Sequence, residues 1–278
     1  MAANRWFTLL ISGLVFLAGG ALPVPVSAET VLKISGTGSA LGTMKQLAEA
    51  FQKSHPGVRV QILPSLGSTG GIKSVLAGGI DLALSSRPLT KAEQQQGAKQ
   101  EEYARSPFIF ITNSKVNKQN ITIRELEEFY SRQPARWADG SRIRLILRPE
   151  KDVDTTIIRN LSPGMEQAVK SALARPGMIM AITDQESSAV IAKTAGALGG
   201  ATLAEIISEN RPVNILSFNG VHASVKTIAD KTYPLAKSYY LVTTSRTTTE
   251  VRQFAEFIRS TAAARILTKN GNLPVAVK

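Results

Sequence analysis

The sequence predicts an α/β fold in two lobes, on three observations. Strand-like and helix-like stretches alternate through the first half of the chain. Two loops of glycine and hydroxyl residues each run into an amphipathic helix. Residues 29–278 are long enough to bury two cores of ordinary size.

Each element follows from its local pattern. After the loop at 34–41 (Ile, Ser, Gly, Thr, Gly, Ser, Ala, Leu), Met44, Leu47, Ala48 and Phe51 recur at helical spacing; His55, Pro56 and Gly57 stop that helix before a strand at 58–63. The second loop, Leu66, Gly67, Ser68, Thr69, Gly70 and Gly71, opens a helix with Ile72, Val75 and Leu76 on one face, ended by Gly78 and Gly79. In the strand at 80–85, Ile80, Leu82 and Leu84 alternate with Asp81, Ala83 and Ser85. Residues 90–105 are polar and predict a surface helix, and 107–112 a short buried strand. From Ile123 a helix carries Leu126, Phe129 and Tyr130; a loop anchored by Trp137 leads to a strand at 143–147, with Arg148 at its end. Asp154, Thr155 and Thr156 offer capping oxygens to a helix bearing Ile157 and Ile158. Helices follow at 165–174 and 202–209, then a returning strand at 233–243 with Tyr239, Leu241 and Thr243 on one face. A last helix uses Val251, Phe254, Ala255 and Ile258.

The N-terminus reads as a secretory signal. Arg5 precedes an apolar stretch at 6–18, and Val26, Ser27 and Ala28 form a small-residue cleavage site. Gly19, Gly20, Pro23 and Pro25 interrupt the apolar run before the roughly 20 residues that a spanning helix needs. The mature chain then begins at Glu29 and is expected in the periplasm. Cleavage removes Arg5 and no acidic residue, leaving 32 Lys and Arg against 21 Asp and Glu, a charge of +11. That balance attracts anions. The basic residues are scattered and the aromatics few, which argues against a reader of stacked bases. With no cysteine there is no disulfide, thiolate metal site or lipidated N-terminal cysteine, so the core alone holds the exported chain together.

The chemistry concentrates in the two loops and at Arg148. Backbone N–H groups and hydroxyls at a helix start point at an anion, and two such starts suggest one small oxyanion held between them. Ser39 and Ser68 also have the simpler use of capping their helices. Arg148 offers a planar fork that clamps two oxygens. Catalysis is not indicated: neither His55 nor His222 lies near the glycine loops, no nucleophile elbow is present, and the 67–71 loop lacks the lysine of a nucleotide-binding loop. His55 reads as a helix stop and His222 as a loop residue, so no metal is expected.

Taken in order, these features resemble the phosphate-binding, periplasmic-type solute-binding proteins of ABC importers. The likeness spans nearly all of the mature chain: the loops at 35–41 and 67–71, the stretches 81–89 and 126–137, Arg148, a glycine turn at 196–199, and Tyr233, Pro234 and Leu235 before the returning strand. The resemblance implies two lobes, each a mixed sheet flanked by helices, joined by two strands crossing near 107–112 and 234–242. Lobe 1 then takes 29–111 and 239–278, and lobe 2 takes 112–238. It also implies a monomer that captures a small oxyanion, phosphate foremost, for a membrane ABC permease, with no cofactor and no nucleic acid. The alternative is the same fold taking another ligand, or serving as an exported sensor or protein-interaction module.

Carried over residue by residue, the resemblance implies ligand contacts from Ser39, Ala40 and Leu41, from Ser68, from Ser86 where many relatives have an aspartate, and from Arg148, with Glu150 orienting the arginine. Five or six charge-assisted hydrogen bonds at roughly 1.5 to 3 kcal/mol each offset desolvation and leave about 8 kcal/mol, a micromolar dissociation constant. The chain departs from the family after Arg148: a Ser, Gly, Thr set becomes Asp152, Val153 and Asp154, with Thr155 beside them as a further contact. At about 4 Å and an effective dielectric near 20, each carboxylate repels a phosphate charge by around 4 kcal/mol. Two readings stay open. Either Asp152 or Asp154 accepts the proton of a protonated oxyanion while the other caps its helix, or the cleft takes a ligand with donors or positive charge.

Overall fold

In the computed structural model, residues 29–132 and 134–275 are described; the expected signal segment, 1–28, lies outside them. The alternating first half forms β1 (Thr30–Gly36), α1 (Gly38–Ser54), β2 (Val58–Ile62), α2 (Gly67–Ala77) and β3 (Leu82–Ser85), with β1 paired in parallel to both β2 and β3. α1 buries Met44, Leu47, Ala48 and Phe51 as its spacing requires. The glycines at 67–71 are not a loop ahead of α2 but its first turn, and Gly78, in a left-handed conformation at φ 78°, ends the helix.

The next segment differs from expectation. Only α3 (Lys91–Gln95) is helical, closed at its start by a Thr90–Glu93 capping box, and β4 (Lys99–Asn113) replaces the rest of the expected surface helix. Gly97 at φ 92° turns the chain between them. Solvent covers Lys99, Glu101 and Arg105, so this half of the strand is polar enough to hide its type. At about 3.3 Å per residue, the 15 residues of β4 span roughly 50 Å, enough to serve both lobes.

There follow β5 (Asn120–Ile121), α4 (Ile123–Ser131), β6 (Arg144–Leu147), α5 (Val153–Arg159), α6 (Pro163–Leu173), β7 (Ile179–Met180), α7 (Asp184–Lys193), β8 (Ala197–Thr202), α8 (Leu203–Ser208), β9 (Val213–Phe218) and α9 (Val225–Ala229). The chain returns through β10 (Ala236–Thr243), α10 (Thr249–Ile258), α11 (Thr261–Lys269) and β11 (Leu273–Pro274). The main strand path is β2-β1-β3-β10-β4-β8-β6-β7. β4 hands the sheet from one lobe to the other: Pro107 faces Ala236 of β10, and Phe108 faces Thr202 of β8. The amide of Phe108 donates to the Leu235 carbonyl at 3.0 Å, tying the two crossing strands together.

Among the described residues two large cores result, with a smaller third one of Ile72, Val75, Ile80, Ala83, Leu89, Ala98 and Val242. One large core gathers Leu32, Ile34, Leu47, Phe51, Tyr239 and Phe254; the other gathers Phe108, Phe110, Leu126, Trp137, Leu145 and Phe218. Trp137 anchors its loop as expected, donating its indole N–H to the Gly196 carbonyl at 3.1 Å and meeting Phe129 edge-on. The expected turn at 196–199 shrinks to Gly196, at φ 72°, because residues 197–202 are all buried in β8. A Cβ at Gly199 would lie 2.7 Å from the Ile191 side chain, and one at Gly200 would enter the Phe108 ring. These glycines serve close packing within a strand rather than a turn. No helix among the described residues is long and apolar enough to cross a membrane.

Candidate functional site

The first loop delivers the buried start of α1 to the junction between lobes. Its N-cap, Thr37, caps no backbone N–H of its own helix with its side chain, and the first turn carries no acidic residue. The partial positive charge of the helix start is therefore left for a group from elsewhere. That group is Asp184, the first residue of α7. Its Oδ2 accepts the Thr37 hydroxyl at 3.2 Å. Its Oδ1 accepts from Lys237 Nζ at 2.6 Å. Thr37 and Ser39 share a 3.1 Å hydroxyl contact. A Cβ on Gly38 would crowd Asp184 Oδ2 at 3.2 Å, so a small residue is needed for the carboxylate to come this close.

Arg148 lies at the end of β6, only 6 % exposed. It donates to the Ala181 carbonyl at 3.1 Å and to Asp152 Oδ2 at 2.8 Å, while its Nε faces Asp154 Oδ2 at 4.0 Å without a hydrogen-bond partner. Asp152 is the N-cap of α5, its Oδ1 accepting the Asp154 N–H at 2.9 Å. Glu150, expected to orient Arg148, is exposed in a turn, and Asp152 takes that place. Thr155 does not offer its hydroxyl to the cleft; it donates to the Arg148 carbonyl at 3.0 Å. Of the two aspartates, Asp152 does the capping and Asp154 is the buried one, at 1 % exposure.

Asp154 and Asp184 converge on Lys237, which reaches in from β10. Lys237 Nζ donates to Asp154 Oδ1 at 2.6 Å as well as to Asp184, and Asp154 Oδ2 has no hydrogen-bond partner. Glu205, on α8, is buried nearby with neither carboxyl oxygen hydrogen-bonded. Burial pushes Glu205 up to about 8, with the charge of Asp184 adding to it, so it stands as a neutral acid. Burial likewise raises Asp154, to about 6; Lys237 pulls it down while Asp184 and Asp152 push it up. Burial also opposes ionisation of Asp184, but Lys237, Arg148 and the Ser39 amide outweigh it and hold this carboxyl below its ordinary range. Around neutral pH, two cations thus face the carboxylates of Asp152, Asp154 and Asp184.

Ser68 and Ser86 bond to each other on the α2 side. Ser68 Oγ accepts the Ser86 N–H at 2.9 Å and contacts Ser86 Oγ at the same distance. Arg87 turns away, donating two parallel hydrogen bonds to the Glu93 carboxylate and one to the Thr69 hydroxyl. The Arg87 guanidinium, more than any other group, holds the Glu93 carboxyl at about 2. Ser39 and Arg148 are thus linked through Thr37, Asp184, Lys237 and Asp154, whereas Ser68 and Ser86 pair separately and Ala40 and Leu41 pack into the core of the first lobe.

Thr37, Asp184, Glu205 and Lys237 were not marked by the sequence as site residues. Lys237 carried a signal: it shares the inward period-two face of Tyr239 and Leu241, where a lysine needs a buried partner. Asp184 carried none, since an acid in the first turn of a Thr-capped helix is ordinary.

A family model described as a PBP superfamily domain matches residues 23–262. The phosphate-binding protein PstS of Borreliella burgdorferi is 23% identical over 256 residues, covering 89% of this chain and 91% of that protein. Among solved structures, a Clostridium perfringens protein of the phosphate ABC transporter substrate-binding class, with bound phosphate, matches at a TM-score of 0.74 and 20% identity over 90% of this chain and 100% of its own. An ABC-type phosphate transport receptor from Vibrio cholerae matches at a TM-score of 0.62 and 20% identity, over 88% and 100% of the two chains. At these identities, the structural likenesses show the two-lobed fold.

Proposed function

The chain belongs to the PBP superfamily, and from that premise we propose that it is an exported solute-binding protein that captures a small oxyanion, phosphate foremost, between its lobes for an ABC importer. The names of its relatives support this reading. The observation that carries it is that an oxyanion group, the Asp184 carboxylate, already sits at the start of α1, held by the Thr37 hydroxyl and by the Lys237 ammonium from β10. These are the donors a phosphate needs.

On this reading, phosphate takes the place of that carboxylate, gains the free Nε of Arg148, and uses Asp154 Oδ2 as acceptor for its proton. Contacts to both lobes then hold the closed form through the ligand. The group acts by binding, without a covalent step, in a periplasmic monomer. Asp152 is committed to its cap and to Arg148, which leaves Asp154 as the reader of the proton.

One observation favours the second reading, another ligand in the same fold: the carboxylates outnumber the cations in the cluster. Isothermal titration of the ligand-stripped protein with phosphate, and in parallel with sulfate, arsenate and molybdate, separates the two. Micromolar phosphate binding with little response to sulfate is the expected result. Silence toward all four anions overturns the oxyanion reading and favours the second.

A further inference from the structure

Resting on the oxyanion reading for its ligand, we infer that Asp184 is a built-in occupant of the anion seat: it closes the ligand-free protein on itself, and an incoming oxyanion must displace it. Four observations converge. First, Asp184 comes from α7 and the hydroxyl it accepts, that of Thr37, comes from the start of α1, so the bond runs from one lobe to the other. Second, α1 brings no acid of its own, and its helix start is left for this carboxylate. Third, Gly38 leaves room for the approach. Fourth, Asp184 is not required to neutralise Lys237, since Asp154 already meets that ammonium at 2.6 Å. An ordinary ion pair would need one carboxylate; the second one spends its other oxygen on the helix start.

The physical consequence is competition within one molecule. A tethered carboxylate faces the seat at a high effective concentration, so free phosphate binds with its intrinsic affinity reduced by the fraction of molecules in which the seat is taken. The same contact makes the empty protein resemble the loaded one in shape. Asp184 thereby sets both the affinity of the cleft and the difference between empty and loaded forms.

The test compares the wild-type protein with Asp184→Asn by titration calorimetry and small-angle scattering, with circular dichroism to verify folding. Ligand-free wild type is expected to be as compact as the phosphate-saturated protein. Ligand-free Asp184→Asn is expected to have a larger radius of gyration, to contract on adding phosphate, and to bind phosphate at least tenfold more tightly. A second variant, Thr37→Val, removes the receiving hydroxyl and is expected to open the ligand-free protein while keeping the Asp184–Lys237 pair. If both folded variants stay as compact as wild type without ligand, or if wild type and Asp184→Asn bind phosphate equally well, the inference is overturned while the oxyanion reading stands. If the variants open but no form binds phosphate, sulfate or arsenate, the latch is supported and the oxyanion reading falls.

Discussion

The starts of α1 and α2 are written in nearly the same chemistry, glycines and hydroxyls running into an apolar helix face, yet they end in opposite surroundings. Residues 34–44 are buried throughout, and the α1 start holds a carboxylate delivered from α7. The α2 start is half-exposed, with Thr69 in solvent, and its serine is bonded to Ser86 of the same lobe. A free helix start is a potential anion site wherever it occurs. What differs is the group the fold places opposite.

The largest break in this contrast is expected from Lys237→Met. Removing the ammonium leaves Asp154 and Asp184 buried against each other, and losing one partner of a buried pair costs about 3–5 kcal/mol. Urea denaturation should show that loss, and calorimetry should show phosphate binding abolished. The corresponding test at α2 has no charge to strip out.

A smaller effect comes from pH. The folded pKa of Glu205, about 8, lies above its ordinary 4.5, so the folded state holds a proton that the unfolded state has released. Stability is therefore fully present below about 4.5 and is lost as pH rises through about 8. Asp154 acts in the same direction between 3.8 and about 6, while the depressed pKa of Asp184 adds stability that is complete well below neutrality. Between pH 6 and 8 the wild-type protein is expected to lose about 2 kcal/mol, and Glu205→Gln to flatten that slope. Urea midpoints measured across this range decide it.

The smallest effects sharpen the comparison directly. Thr37→Val is expected to cost about 1–2 kcal/mol because it leaves Asp184 Oδ2 short of a donor in a buried place. Ser68→Ala, which frees the Ser86 N–H and hydroxyl beside a half-exposed helix start, is expected to cost about 1 kcal/mol. Melting curves of the two variants rank them. A larger loss for Ser68→Ala would reverse the roles given to the two helix starts.

Much of the frame was legible because periodicity is a local property. The helix of Met44, Leu47 and Phe51, the Gly78 stop, the strand leading to Arg148 and the returning strand, expected at 233–243 and found at Ala236–Thr243, all follow from spacing and punctuation. The first half of β4 was hidden because its polar face meets solvent, and β8 was hidden because its glycines pack against Phe108 and Ile191. Within the site, Arg148 and the α1 start could be found from sequence, but the partner of the arginine could not. Glu150 and Asp152 are both close in sequence, and only the cap geometry of α5 turns Asp152 toward Arg148.

The sequence by itself determined the α/β alternation, the two helix starts able to hold an anion, and the arginine at a strand end, since each depends on residues a few positions apart. Only the tertiary structure decided that Asp184, Asp154 and Lys237 meet, because they stand on α7, α5 and β10 and nothing local couples them. That meeting, governed by the cost of burying charge without a partner, decides which carboxylate is ionised and what fills the seat at α1.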